Sequence, residues 1–175
     1  LKSMRKLTFT RNLPNFIFNE ADDNEGVVDD GFQCDFTLSR TFRKGSYNTF
    51  AVPFSVSLDV LRQVLGAETI VKELTASTYN EGKLSMTFDD ATTIDAGKPY
   101  LILVPEDVVN PTFKDVIVRN ISVPVITDYV NAIPAIGKTL VKGAPGTEDN
   151  IQSVLFLGGG NKFYHPSVVN DPDNE

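Results

Sequence analysis

Phe32-Gln33-Cys34-Asp35-Phe36-Thr37-Leu38 sets an apolar side chain at every second position with polar ones between. An extended chain turns successive side chains to opposite faces, so this spacing gathers Phe32, Cys34, Phe36 and Leu38 on one face and leaves the other to water. A helix would scatter the same residues around its axis, and the stretch therefore reads as a half-buried β-strand. The alternation recurs upstream at Leu7 and Phe9 and at Phe16 and Phe18. Downstream it predicts strands at Tyr47 to Phe54, Ile70 to Leu74, Leu84 to Phe88, Tyr100 to Val104, Val116 to Val123, Lys138 to Val141 and Val154 to Leu157.

The spacers carry turn chemistry at Arg43-Lys44-Gly45-Ser46, Asn80-Glu81-Gly82-Lys83, Asp95-Ala96-Gly97-Lys98, Gly143 to Gly146 and Gly158-Gly159-Gly160-Asn161. Asn80-Glu81-Gly82-Lys83 has the length of a tight hairpin. One segment differs: Ser57 can cap a helix in which Leu58, Leu61 and Leu65 recur at helical spacing before Gly66 ends it. About ten short strands, one helix and no βαβ alternation predict an all-β fold. The expected architecture is a two-sheet antiparallel β-sandwich, a jelly roll being one form of it, with one short helix near 57–65 packed over the sheet.

A chain of 175 residues with 41% apolar composition suits one domain with a real core. Sixteen Lys and Arg against 23 Asp and Glu give a net charge of -7, which repels phosphate backbones and argues against a nucleic-acid partner. No apolar run approaches the roughly 20 residues that cross a bilayer, so no membrane insertion by this segment is expected. Cys34, the single cysteine, has no disulfide partner within the chain and reads as a small core residue. The stretch 20–31 reads as an acidic loop and 170–175 as a flexible tail. The start at Leu1, without an initiator Met or a signal-peptide pattern, suggests a piece excised from a longer surface protein.

Little in the sequence points to catalysis. Acid–base chemistry most often recruits histidine, and His165, at a strand end before Pro166, is the only one. No G-x-S-x-G elbow is present, and Gly158-Gly159-Gly160 lacks the lysine and helix of a phosphate loop, so it reads as a hairpin turn. No cofactor is expected. Calcium is the one metal to weigh: Asp22, Asn24, Asp29 and Asp30, with Asp23 and Glu25, offer hard oxygen ligands in one loop. Their spacing misses the EF-hand pattern, and a solvated acidic loop is the favoured reading. A sugar site needs an exposed aromatic platform. With no Trp in the chain and 12 Phe mostly at core positions, Tyr47, Tyr79, Tyr129 and Tyr164 are the platforms available, Tyr79 and Tyr164 being the ligand-binding candidates.

Several segments together resemble a recurrent module of large secreted and surface-anchored proteins of Bacteroidetes. They are Phe36-Thr37-Leu38-Ser39-Arg40-Thr41-Phe42 followed by Tyr47-Asn48-Thr49-Phe50-Ala51-Val52-Pro53-Phe54, then Val71-Lys72-Glu73-Leu74 and Leu84-Ser85-Met86-Thr87-Phe88. Ile94-Asp95-Ala96-Gly97-Lys98-Pro99-Tyr100-Leu101-Ile102 is the most specific. The likeness continues through Asn110 to Val118, Ser153 to Gly158 and Asn161 to Pro166, and so covers roughly Phe36 to Pro166. Similar proteins commonly have Trp where Tyr47 stands and often Cys where Ala51 stands, and usually continue with a further strand that this chain lacks. The resemblance implies an extracellular β-sandwich, often joined to Ig-like or leucine-rich-repeat regions, without established enzymatic activity and without site residues to carry over.

The resulting expectation is a non-catalytic extracellular or cell-surface module for adhesion, spacing or partner docking. The alternative is a carbohydrate-binding module of a glycan-handling surface protein. Its partners would be a protein or a glycan at the cell surface, and the missing strand suggests an open sheet edge that accepts a donated strand.

Overall fold

A computed structural model describes residues 13–19, 30–119, 124–132 and 155–164. They are mostly strand, with one α-helix. The expected strands at Leu7 to Phe9 and Lys138 to Val141, His165, the tail 170–175 and all of the acidic loop except Asp30 and Gly31 lie outside the described residues.

Strand β1 (Asn15–Phe18) lies beside β2 (Gln33–Leu38), which pairs on its other side with β11 (Thr112–Ile117) in a three-stranded sheet. Cross-strand partners Phe16 and Phe36, Phe36 and Phe113, Phe18 and Leu38, and Cys34 and Val116 share one face. Alternation in β2 is complete: Cys34, Phe36 and Leu38 are buried and their neighbours are not. The expected antiparallel order fails at one place, since β1 runs parallel to β2. Alternating burial is the same for either direction, so the pattern that located these strands cannot orient them.

A second, four-stranded sheet has the order β4 (Asn48–Phe50), β9 (Tyr100–Leu103), β6 (Ile70–Asn80) and β7 (Lys83–Asp90). Register places Phe50 beside Tyr100 and Ile102 beside Val71, all buried on the face that joins the core. The strands 70–80 and 83–90 run well past their predicted ends because the two-residue Glu81-Gly82 turn, both at positive φ, closes a hairpin on Asn80 and Lys83. The remaining pairs are short: β3 (Thr41–Phe42) with β10 (Val108–Val109), β5 (Val56–Ser57) with β8 (Thr93–Ile94), β12 (Val125–Ile126) with β13 (Asn131–Ala132), and β14 (Phe156–Gly158) with β15 (Lys162–Tyr164). The described strands thus form several small sheets rather than two continuous ones.

The helix α1 (Leu58–Leu65) forms where predicted, with Ser57 Oγ accepting the Val60 N–H at 3.3 Å and the Gly66 N–H returning to the Arg62 carbonyl. Its Leu61 and Leu65 enter the core. A run of phenylalanine rings holds that core together: Phe36 lies 5.0 Å from Phe54, Phe54 5.3 Å from Phe113, and Phe113 6.3 Å from Phe50 of the other sheet. Phe54 belongs to no strand. The expected strand from Tyr47 to Phe54 stops at Phe50, and Val52, Pro53 and Phe54 are buried in succession. Their backbone bonds to loops instead, the Val52 carbonyl accepting Gly97 N–H and the Pro53 carbonyl accepting Arg119 N–H.

The Ile94 to Ile102 element is built around Tyr100. Its hydroxyl accepts the Asp95 N–H at 3.0 Å, Ser55 Oγ accepts the Ala96 N–H at 2.9 Å, and the Lys98 ammonium sits 5.5 Å over the Tyr100 ring while pairing with Glu73. These contacts serve the fold.

Candidate functional site

The outer face of the four-stranded sheet is set by the same registers that build the core. Leu74 pairs with Phe88, Ser77 with Met86 and Tyr79 with Leu84, and these six share the face opposite Val71 and Ile102. A bulge between Leu74 and Ala76 keeps the upper part of β6 in step with β7. The result is an apolar stripe running up a hairpin. Two smaller hairpins lie against it.

The β12–β13 hairpin is held by Ser77. This serine is only 2% exposed, its Oγ accepts the Tyr129 N–H at 2.9 Å, and it hydrogen-bonds the Thr127 hydroxyl. Thr127 in turn donates to the Val130 carbonyl at 3.1 Å, so its proton is committed and Ser77 is the donor between them. This chain of bonds fixes the loop from Thr127 to Val130 on β6 and brings Tyr129 beside Tyr79, with ring centroids 6.3 Å apart and planes inclined at 44°. Both rings remain open, at 57% and 60%. Two exposed tyrosines brought together on separate hairpins form a surface suited to recognition by contact.

The second hairpin, joined by a 3-10 turn at Gly159–Asn161 as the glycine run predicts, lays Phe163 against Phe88 with ring planes at 10°. Tyr164 belongs here rather than beside Tyr79. Its ring packs on Gly158, where a Cβ would come within 2.7 Å of it, and its hydroxyl donates to the Gly159 carbonyl at 3.1 Å. Phe88 and Leu84 are four positions apart on β7, about 13 Å along a strand, so the two candidate tyrosines occupy separate places. Tyr47 meets the turn of the β14–β15 hairpin, its backbone N–H donating to Asn161 Oδ1 at 2.6 Å. It lines an open depression of about 530 Å³ with Arg62, Ile70, Lys72 and Asp90. There Lys72 pairs with Asp90 at 2.8 Å, and that hydrogen bond outweighs desolvation to hold the ammonium pKa above its ordinary value.

Of the calcium candidates, Asp30 is described, and Arg119 Nη1 lies 3.8 Å from its carboxylate. Asp22, Asn24 and Asp29 lie outside the described residues. Among the described residues no three His, Cys, Asp or Glu side chains come together to hold a metal. Cys34 is fully buried, and burial first, then the neighbouring Asp35 charge, raises its thiol pKa, which makes it a poor nucleophile. Among the described residues no helix is long and apolar enough to cross a membrane.

Sequence reading finds Tyr79 and Tyr129 but misses Ser77. Ser77 could have been noticed as a polar residue on the apolar side of an alternating strand, although its partners lie 50 and 52 positions later. No protein-family model matches the chain, and no curated protein or solved structure is significantly similar to it.

Proposed function

We propose that this chain is a non-catalytic extracellular module that docks a partner at the cell surface through the tip of its long hairpin. The observation that carries this reading is the Tyr79 and Tyr129 pair, two exposed rings on separate hairpins locked together by the buried Ser77. Aromatic side chains held at low conformational cost supply much of the energy at recognition surfaces. The three-stranded and four-stranded sheets are taken as the two layers of a β-sandwich, a reading supported by the contact of Phe113 with Phe50 between them. The extracellular, Bacteroidetes-type assignment rests on the resemblance over Phe36 to Pro166.

A second reading, carbohydrate binding, is favoured by the same pair, because adjacent tyrosine faces with polar neighbours can stack on a pyranose ring. One experiment separates the two. Labelled protein is applied to whole cells that are untreated, protease-treated or periodate-treated, alongside Tyr79→Ala and Tyr129→Ala variants with unchanged melting temperature. Binding lost after protease supports protein docking, and binding lost after periodate supports the glycan. Binding that both tyrosine variants retain in full removes the surface from either reading.

A further inference from the structure

β7 presents an edge that the rest of the described chain leaves open. It is the outermost strand of the four-stranded sheet and, among the described residues, pairs only with β6. Every residue from Lys83 to Asp90 is exposed or half-buried. The Glu81-Gly82 turn decides which backbone groups face outward. A two-residue hairpin closes on a hydrogen-bonded pair, here Asn80 and Lys83, so Lys83, Ser85 and Thr87 bond towards β6. Leu84, Met86 and Phe88 then direct their N–H and C=O groups away from the sheet. A strand of this kind, with no proline and no charge between Leu84 and Phe88, is a template for another strand.

We infer that the strand it accepts is β7 of a second copy of this chain, related by a two-fold axis through Met86. Antiparallel pairing must oppose residues of the same hydrogen-bonding type, which leaves few registers. With Met86 on the axis, Leu84 faces Phe88, Ser85 faces Thr87 and Lys83 faces Asp89, each contact made twice. Apolar residues then meet on one face and polar ones on the other. Lys83 and Asp89 fall on pairs without backbone hydrogen bonds, where side chains approach most closely. Among the described residues Lys83 has no carboxylate partner within its own copy. Asp89 has one oxygen engaged by the Thr75 hydroxyl at 2.6 Å and, among the described residues, no cationic side chain paired with it. Moving the axis to Thr87 sets Leu84 against Asp90, and moving it to Ser85 sets Asp89 against Glu81. Both are mismatches, so the sequence of the strand selects one register.

The test is a charge exchange across the axis, read by sedimentation equilibrium of the full chain. The native protein is expected to dimerise, Lys83→Asp and Asp89→Lys each to weaken the dimer by about tenfold or more through like-charge juxtaposition, and an equal mixture of the two variants to restore it. A native chain that stays monomeric, or a dimer indifferent to both exchanges, overturns the inference. If either variant fails to fold by circular dichroism, Met86→Cys supplies the answer. Cα atoms of a hydrogen-bonded antiparallel pair lie about 5.5 Å apart, within disulfide reach, so mild oxidation should link two copies. A Met86→Cys chain that remains single under oxidation overturns the inference as well.

Discussion

The carboxylate of Asp35 on β2 accepts the backbone N–H of Asp115 at 3.0 Å and pairs with Lys114 at 2.7 Å, tying β2 to the irregular part of β11. Asp115 sits there at a φ of 54°, and the register slips between Phe113 and Val116. One side chain thus satisfies a donor that the break in the ladder leaves without a strand partner.

Those bonds predict an acid response. The Lys114 hydrogen bond first, then the Asp115 N–H, holds the Asp35 carboxyl below its ordinary pKa, and Asp107 is lowered likewise by the Lys44 N–H and by Arg43. A lowered native pKa gives stability that is present above the unfolded value of about 3.9 and is lost as pH falls through the native one. Urea midpoints measured from pH 5 downward should decline less steeply for Asp35→Ala than for the native chain.

The hairpin turn can be improved. Glu81 and Gly82 have φ of 48° and 80°, a conformation that asparagine and glycine adopt with least strain. Glu81→Asn is expected to stabilise by about 0.5 kcal/mol, and Gly82→Ala to destabilise by about 1–2 kcal/mol. Thermal unfolding compares them.

Phe54 should matter as much as any strand residue. Removing its ring leaves a cavity between Phe36 and Phe113, and Phe54→Ala is expected to cost about 3–5 kcal/mol in urea denaturation. An exposed apolar residue such as Ile17, 63% accessible, should tolerate alanine with a change of about 0.5 kcal/mol or less.

Cys34 should resist alkylation. Mass spectrometry after iodoacetamide treatment is expected to show an unmodified thiol in the native protein and a modified one in denaturant. Rapid native labelling would place Cys34 outside the core.

These residues also show how far the sequence could be read. Cys34, Phe36 and Leu38 are buried as their alternation requires, and the helix lies between the Ser57 and Gly66 signals, because both patterns are local. Val52-Pro53-Phe54 defeats alternation because its backbone partners, Gly97 and Arg119, are more than forty positions away. The Tyr79 surface was half legible for the same reason. Aromatic residues near turns can be picked out singly, but Tyr129 reaches Tyr79 only through Ser77, whose burial depends on a loop 50 positions later.

The separation between the strands of the first sheet has a consequence for how the chain is made. β2 and β11 meet across an interval of 80 residues at Asp35 and Asp115, whereas β6 and β7 are joined by a two-residue turn. Closing a long interval costs more chain entropy than closing a short one and slows folding accordingly. During synthesis the β6–β7 hairpin is free to form early, while Phe36 and Cys34 wait for their neighbours, and the three-stranded sheet cannot close until the ribosome has released β11.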